Sequence, residues 1–330
     1  MPKPIEVPPE WSEQLPTHPP KGIVMLVGAP DSGKTTLARY LWERYAPHVA
    51  SAAWLDADIG QSTLGPPTTM TVVVADTQRR PAFPPQGARR RYFVGNTSPR
   101  GHMLPVIVGV ARLARFALSR RPHFVLVDTT GLVAPERGGV ALKHAKIELL
   151  LPRWVLALQR EEELEPILRP WESHPAIRLV RLPVSSAVVP KTPEHRRQHR
   201  VRQFRRYFAH ADHLALSLDG LGIFGSGPLT PGRLVGLQGR DGFTLALGVV
   251  EQADPDQQRL VVRTPLRHAE RVHAVRLGRV HLTAALEEWF PSRRTIEADQ
   301  EQADDREAEG EERPAAGTED ATGAGCADSK

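Results

Sequence analysis

The segment GAPDSGKTT, residues 28–36, constrains the fold of this chain more than any other segment. It follows a short apolar run, GIVMLVG, and precedes TTLARYLWERYA, whose apolar residues recur at helical spacing. A G-x-x-x-x-G-K-[ST] pattern between a strand and a helix is typical of a phosphate-binding loop, in which backbone amides and the helix N-terminus bind phosphate oxygens. The alternative is a fortuitous glycine-rich turn. The sequence therefore predicts a nucleotide site.

Individual residues of this loop have distinct expected roles. Lys34 is expected to reach the β- and γ-phosphates, and Thr35 to supply a magnesium ligand. Gly33 lets the backbone come close to the phosphates. The predicted nucleotide-binding residues are Gly28, Ala29, Pro30, Asp31, Ser32, Gly33, Lys34, Thr35 and Thr36.

Strand-like and helix-like segments alternate along the first two thirds of the chain. Apolar runs typical of strands are GIVMLVG, VASAAWLDADIG, PHFVLVDTTG, RWVLALQ and IRLVRLPV. Helical spacing is found in HMLPVIVGVARLARFALSRR, in ALKHAKIELLLP and in the densely basic PEHRRQHRVRQFRRYFAHA. This alternation predicts an α/β fold with a mostly parallel sheet and helices on both faces.

After Leu216 the pattern changes to short β-like runs separated by turn residues, which predicts a small β-rich module. The predicted organisation therefore has four parts. They are an N-terminal extension (1–20), a phosphate-loop domain (21–215) with the basic helix at about 193–208, the β-rich module (216–290) and an acidic tail (291–330).

Charge is distributed unevenly along the chain. The net charge is +5, but residues 292–330 carry 12 Asp and Glu against 5 Lys and Arg, which leaves residues 1–291 with a net charge of +12. A body this basic favours a polyanionic partner. The tail has almost no apolar residues to bury, so we expect it to be disordered, with a solubilising extension as its simplest role.

Cysteine count and hydropathy exclude several classes of protein. The single cysteine, Cys326, rules out an intrachain disulfide and a cysteine-based zinc site. No apolar run approaches the ~18 residues that span a bilayer, and the first residues do not resemble a signal peptide. The sequence therefore predicts a cytoplasmic protein.

Three acidic residues follow apolar strands. Asp128 ends the strand in FVLVDTTG, where it is expected to hold magnesium through water while Gly131 approaches the γ-phosphate; capping of the next turn is the alternative. Asp56 and Asp58 stand at i and i+2, so they share one face of a strand. One acid is expected to order magnesium waters and the other to accept a proton from an attacking hydroxyl. A merely solvated pair is the alternative.

Several motifs in this order resemble one known family. GAPDSGKTT, DADIGQ, FVGNTSP (93–99), LVDTTG and an Arg-rich helix ending in RRYF are similar to the polynucleotide 5′-hydroxyl kinases. This Clp/Grc-type family includes the kinase component of the eukaryotic pre-mRNA cleavage machinery, the nucleolar ribosomal-RNA-processing kinase and shorter archaeal enzymes. The resemblance covers residues 20–210 and implies transfer of the γ-phosphate of ATP or GTP, with Mg²⁺, to the 5′-hydroxyl end of RNA or DNA.

The resemblance also implies roles for individual residues. Asp58 matches the acid that activates the hydroxyl and organises magnesium, and the basic helix matches a lid whose arginines close over the γ-phosphate. The residues implied for catalysis are Lys34, Asp56, Asp58, Arg196 and Arg200, with Arg197 as a further lid candidate. Those implied for the substrate are Gln61, Thr97, Ser98, Thr130 and Gly131, and those for the metal are Thr35, Asp58 and Asp128.

Two features of this chain depart from the family pattern. Many members carry a tryptophan that stacks on the terminal base where this chain has Leu132, and the larger members have an N-terminal domain that contacts the base of ATP. Here Trp11 is either a cover for the adenine or, as we expect, a packing residue.

Two other functions of the protein remain open: a nucleotide-dependent switch, and a non-catalytic RNA-binding scaffold. The basic helix could also be a static patch for the nucleic-acid backbone.

Overall fold

Almost every residue of the apolar run GIVMLVG is buried, because this run forms β1 (Gly22–Gly28) at an interior position of a sheet that is covered on both faces. The computed structural model of the chain describes residues 5–77 and 83–290. The predicted disorder of the acidic tail falls on residues outside these ranges. Within them, no helix is long and apolar enough to cross a membrane.

The first sheet has seven strands. They are β1, β2 (Ser51–Ala57), β3 (Thr69–Asp76), β4 (Ala88–Phe93), β5 (Phe124–Thr129), β6 (Trp154–Gln159) and β7 (Arg178–Pro183), in the order β4-β3-β2-β5-β1-β6-β7. Neighbours from β2 to β7 in this order pair in parallel, whereas β3 and β4 are antiparallel additions. The predicted mostly parallel α/β sheet is confirmed.

Helices cover both faces of this sheet. They are α1 (Pro9–Gln14), α2 (Lys34–Tyr45), α3 (Met103–Leu118), α4 (Gly139–Leu150) and α5 (Glu165–Leu168). Apolar residues of α3, α4 and α5 pack on one face, and those of α1 and α2 pack on the other. Alternate residues of β1 serve the two layers: Met25 and Val27 face α3 and α4, whereas Val24 and Leu26 face α2.

Strands β3 and β4 were not anticipated from the sequence. Residues Thr69–Asp76 are apolar and β-branched, as strands require, but they follow a turn rich in Pro and Gly. Their direction is set by pairing with β2, which a local pattern does not encode. These two strands extend the sheet on the side of β2.

A second sheet follows the basic helix, α6 (Pro193–Tyr207). Its strands are β8 (Asp212–Ser217), β9 (Gly222–Phe224), β10 (Arg233–Gln238), β11 (Thr244–Asp254), β12 (Arg259–Thr264), β13 (Ala274–Leu282) and β14 (Glu288–Trp289). They run in the order β14-β13-β10-β11-β12-β8, with β9 parallel to β13. The β-rich character expected after residue 216 is confirmed, although the sheet already begins at Asp212.

The two sheets pack directly on each other. Phe93, at the end of β4, is fully buried among residues of the second sheet and of α6. Its backbone N–H donates to Thr244 Oγ1 over 2.9 Å. Residues 1–290 accordingly belong to one compact unit.

Candidate active site

The phosphate-binding loop connects β1 to α2 at the carboxyl end of the parallel strands. Gly33 has a φ of 86°, a left-handed conformation that glycine adopts without strain, and α2 begins at the next residue. Lys34 Nζ donates to Ala29 O over 2.7 Å and to Ser32 Oγ over 3.3 Å. Burial lowers the pKa of Lys34, while Asp128 and Asp58 act in the opposite direction. The ammonium group of Lys34 is thus bound by a backbone oxygen and a side chain of the same loop.

Asp128 lies beneath this loop. Thr35 Oγ1 donates to Asp128 Oδ2 over 2.7 Å, and Asp128 Oδ1 is buried without a hydrogen-bond partner. Burial, with a further contribution from Asp56, raises the pKa of Asp128 to about 7. A hydroxyl and a carboxylate with an unsatisfied buried oxygen are the oxygen ligands that Mg²⁺ prefers. Thr35 and Asp128 therefore fit a magnesium ion bound together with nucleotide phosphates.

Asp56 lies next to Asp128, because the two residues are register partners on β2 and β5. Its carboxylate is buried and accepts four hydrogen bonds from the turn that follows β2. The donors are the backbone N–H groups of Asp58 (3.1 Å), Thr63 (2.6 Å) and Leu64 (2.9 Å) and the hydroxyl of Ser62 (2.9 Å). Burial raises its pKa to about 6. In the described structure, Asp56 organises the turn and does not line the cleft.

Asp58 takes a different position, on the wall of the cleft. Its Oδ1 accepts the backbone N–H groups of Gly60 (2.9 Å) and Gln61 (3.0 Å), which fixes the orientation of the carboxylate. Its Oδ2 accepts no hydrogen bond within the described parts of the chain. Asp58 is half-buried and lines the same cleft as Lys34. One oxygen of this carboxylate is thus anchored and the other is available to a bound molecule.

The segment that contains Thr97 packs against the turn that follows Asp58. A side chain at Gly60 would place its Cβ only 2.7 Å from Thr97 O, so this close approach requires glycine. Asn96 Oδ1 accepts the backbone N–H groups of Thr97 (2.7 Å) and Ser98 (3.4 Å) and so fixes the segment. Gln61, Thr97 and Ser98 are thereby brought together at the cleft.

The loop after β5 contacts the phosphate-binding loop on one side and helix α4 on the other. A Cβ at Gly131 would lie 2.8 Å from Pro30 Cα, so glycine allows this loop to contact the phosphate-binding loop. On the other side, Lys143 Nζ donates to Thr130 O over 2.5 Å from the interior of α4. Both Lys143 and Lys146 are fully buried, and burial lowers their pKa values, that of Lys146 to about 8.

Helix α6 carries the predicted lid arginines. Thr192 Oγ1 accepts the His195 N–H over 3.1 Å, which caps the helix N-terminus. Arg196 Nη2 pairs with Asp31 Oδ2 of the phosphate-binding loop over 2.5 Å, and Arg200 Nε donates to Glu288 Oε1 over 2.6 Å. Both arginines line the cleft, whereas Arg197 pairs with Glu287 and does not.

The cleft between these elements has a volume of about 1000 Å³. The predicted residues that line it are Pro30, Asp31, Ser32, Gly33, Lys34, Thr35, Thr36, Asp58, Gln61, Thr97, Ser98, Thr130, Gly131, Arg196 and Arg200. Gly28, Ala29, Asp56 and Asp128 lie behind this surface. Leu132 also lines the cleft, at the position where many family members carry tryptophan.

Trp11 is a packing residue, as expected. Its side chain is 1 % exposed, and its indole N–H donates to Pro183 O over 2.9 Å. It touches the edge of the cleft only as part of the apolar layer beside α2.

Sequence patterns did not indicate several residues of the cleft region. Arg137 and Lys191 add positive charge to the lining, and Lys143 holds Thr130 from behind. The only signal for Lys143 was its place on an otherwise apolar helix face, where a fully buried lysine is unusual. Arg137 and Lys191 lie in loops and carry no pattern of their own.

Comparison with known proteins shows what this arrangement is similar to. Residues 28–210 match the family described as the mRNA cleavage and polyadenylation factor CLP1 P-loop. The polyribonucleotide 5′-hydroxyl-kinase of Pyrococcus furiosus is 27% identical, over 78% of this chain and 87% of the relative. The enzyme of that name from Methanocaldococcus jannaschii is 32% identical, over 56% of this chain and 50% of the relative.

A solved structure agrees in fold. The wild-type Clp1p–Pcf11p complex aligns with a TM-score of 0.59 and 15% identity, over 79% of this chain and 74% of that chain. At this identity the likeness concerns the fold alone. The family match spans more than half of the sequence and contains the phosphate-binding loop, all three acids and the lid helix. The chain belongs to the CLP1 P-loop family.

Proposed function

We propose that this protein is a polyribonucleotide 5′-hydroxyl kinase, which transfers the γ-phosphoryl group of ATP to the 5′-hydroxyl end of RNA. Archaeal relatives with this name align with more than three quarters of the chain. ATP as donor, Mg²⁺ as metal ion and RNA with a free 5′-hydroxyl as partner are parts of the same proposal. GTP is the alternative donor.

The position of Asp58 is the observation that carries this proposal. Asp128 beside Thr35 already supplies metal-binding oxygens, so Asp58 is available for another role. Asp58 presents a carboxylate to the cleft, fixed through Oδ1 and free at Oδ2. A carboxylate placed in this way can accept the proton of an attacking alcohol. Together with the names of the archaeal relatives, this position supports a hydroxyl group of a second substrate as the acceptor.

The residues of the chain would divide the remaining work by position. Thr35 and Asp128 would hold Mg²⁺, directly or through water, and the ion would supply positive charge to the phosphates. Lys34 supplies a fixed cation at the β- and γ-phosphates. Arg196 is released from Asp31 when phosphate binds and then donates to the transferring group. Gln61, Thr97, Thr130 and neighbouring residues hold the RNA end against Asp58. Catalysis of this kind rests on orientation and charge.

Transfer of label from [γ-³²P]ATP to a 5′-hydroxyl RNA oligonucleotide tests the proposal. The same oligonucleotide with a 5′-phosphate is the matched control and should accept no label. Lys34→Ala should abolish transfer because the β/γ charge loses its cation. Hydrolysis of ATP without labelling of RNA would instead identify a nucleotide-dependent switch, and binding of RNA without either reaction would identify a scaffold.

The domain organisation and the location of the protein stay proposals. The division into residues 1–20, 21–215, 216–290 and 291–330 is supported by the change from the first sheet to the second after α6. A cytoplasmic location is the expectation from the sequence.

A further inference from the structure

A groove that shares no lining residue with the cleft is rich in arginine. It has a volume of about 330 Å³ and lies where β4 meets the turn before β11. Its lining includes Arg89, Arg90, Arg91 and Arg271, together with Phe243 and a single acid, Asp241. The groove thus carries a formal charge of about +3 from these side chains.

Most arginines of this groove are not neutralised by the described residues. Arg90 pairs with Asp241 over 3.4 Å, but Arg89, Arg91 and Arg271 have no acidic partner in residues 5–77 and 83–290. Arg91 Nε is buried without a hydrogen-bond partner. Partial burial, together with the charge of Arg91, lowers the pKa of Arg89. Crowded and partly desolvated cations with unused donors favour the binding of an anion.

Aromatic rings stack on arginines in and beside this groove. The guanidinium of Arg90 lies 4.9 Å from the ring centroid of Phe116, and that of Arg112 lies 4.9 Å from the centroid of Phe243. The Arg91 guanidinium lies 5.9 Å from the ring of Tyr207. Stacking orders these long side chains before a ligand arrives, which lowers the entropic cost of binding.

A short stretch of chain separates this groove from the cleft. From Arg91 the chain runs through Phe93 to Thr97, which lines the cleft beside Asp58. Arg91 and Thr97 are six positions apart, so at roughly 3.3 Å per residue of extended chain their Cα atoms are separated by at most about 20 Å. An RNA of several nucleotides whose 5′ end lies at Asp58 is therefore long enough to reach the groove.

We propose that the groove formed by Arg89, Arg90, Arg91 and Arg271 binds the sugar-phosphate backbone of the RNA substrate several nucleotides downstream of its 5′ end. This inference rests on the proposed kinase function. Its ligand chemistry is a row of phosphodiesters, and no base-reading contact is required. The acidic segment 292–330 is the competing polyanion, but RNA is favoured because its 5′ end, bound in the cleft beside Thr97, lies within about 20 Å of the groove.

The test compares substrates of different length. Arg89 and Arg271 are exposed, so the double variant Arg89→Ala/Arg271→Ala should fold normally. KM and kcat are measured for 5′-hydroxyl RNAs of 2 and 20 nucleotides. We expect KM for the 20-mer to rise about tenfold, with kcat and the dinucleotide KM unchanged. The salt slope of the 20-mer should fall by about 1.4, at roughly 0.7 for each lost phosphate contact.

Arg153→Ala/Arg178→Ala is the matched control, because it removes two exposed arginines, one directly before β6 and one at the start of β7, on the other side of the sheet. It should leave the 20-mer KM unchanged. An unchanged 20-mer KM in the groove variant would overturn the inference, as would an equal rise for both lengths. In either case, labelling of the dinucleotide by the unmodified protein would leave the proposed kinase function standing.

A deletion separates RNA from the acidic segment as occupant. The described residues form one compact unit, and we expect this unit to remain folded when residues 292–330 are removed. If RNA occupies the groove, the groove substitutions raise the 20-mer KM equally with and without this segment. If the effect disappears on deletion, the segment is the occupant and the inference is wrong.

Discussion

At the scale of single residues, three carboxylates at one end of the sheet have three different environments. Asp56 is saturated by four donors from its own turn, Asp128 accepts from Thr35 and keeps one oxygen unpaired, and Asp58 faces the cleft. Burial makes ionisation of both Asp56 and Asp128 more costly, and the neighbouring Asp56 adds to this cost at Asp128. Asp56 and Asp58 are thus the same residue type at neighbouring positions of one segment, yet they differ in function because their surroundings differ.

Asp58→Asn should remove most turnover and leave ATP affinity largely intact, because the acid acts on the acceptor hydroxyl. The expected loss is about 10²–10⁴-fold, the usual contribution of a general base. Single-turnover transfer and equilibrium binding of ATP are measured on the same preparation. A parallel collapse of ATP affinity would make Asp58 a nucleotide-binding or folding residue.

Asp56→Asn is the informative comparison. An amide at this position points an N–H₂ group at backbone donors, so the turn loses stability by roughly 1–3 kcal/mol. A lower melting temperature is therefore expected for Asp56→Asn and not for Asp58→Asn. Equal melting temperatures would show that the turn does not depend on the Asp56 carboxylate.

Asp128→Asn should stabilise the nucleotide-free protein at pH 8 while abolishing transfer. The pKa of Asp128 is raised to about 7 in the folded chain, above its unfolded value. Its contribution to stability is therefore present below about pH 4 and is lost as the pH rises through about 7. Melting temperatures without nucleotide and with EDTA should show a gain equivalent to about 1 kcal/mol or more at pH 8, and less at pH 5. A gain that does not change with pH would contradict this assignment.

At the scale of elements, α6 joins three parts of the site. Arg196 bonds to the phosphate-binding loop, Gln203 donates to Ser62 O in the Asp58 turn over 2.5 Å, and Arg200 pairs with Glu288. Phe204 is fully buried and anchors the C-terminal half of the helix against the second sheet. The helix is thus fixed at one end, and its N-terminal arginines form bonds that an incoming phosphate can replace.

Arg196→Ala and Arg200→Ala should each lower the transfer rate at saturating substrates by about 10²-fold or more, on the scale of arginine fingers. Lysine should rescue poorly, since a point charge cannot donate to two phosphate oxygens in a fork. Arg206→Ala, exposed on the same helix, serves as the control. The melting temperature of Arg200→Ala is also needed, because this change leaves Glu288 unpaired.

Intact saturated rates in both lid variants, together with weaker RNA binding and a flatter salt dependence, would make α6 a static backbone-binding patch. Measurement of kcat and KM at two salt concentrations distinguishes the two roles.

At the scale of the whole molecule, the two sheets are held together through Phe93. A Cβ at Gly236 or at Gly278 would lie 2.7 Å or 2.8 Å from the Phe93 ring, so the second sheet needs glycine where it meets β4. The segment that follows Phe93 carries Thr97 and Ser98. The packing of the second sheet therefore supports one wall of the cleft.

Gly236→Val should destabilise the protein by roughly 1–3 kcal/mol, because the added methyl groups displace Phe93. Ala215→Val adds similar bulk at an exposed position of β8 and is the control. Thermal unfolding is measured for both, and KM for RNA should rise in Gly236→Val only. An unchanged melting temperature would show that the sheets adapt to the extra volume.

Local patterns in the sequence were sufficient for the phosphate-binding loop, β1 and α6. GAPDSGKTT needs only its own glycines and the flanking strand and helix, and the capped N-terminus of α6 arises from neighbouring residues. The mostly parallel sheet followed from alternation along the chain. Such features depend on residues within a few positions of one another, so a single sequence contains them in full.

Only the tertiary structure decided how the remaining residues are used. Asp56 and Asp58 look equivalent in sequence, yet one carboxylate is consumed by a turn and the other lines the cleft. The partners of Arg196 and Arg200, the contact of the buried Lys143 and the pairing of β3 with β4 join residues that are 13 to 165 positions apart. Local periodicity does not encode such pairings, because packing of the two sheets and α6 brings the partners together.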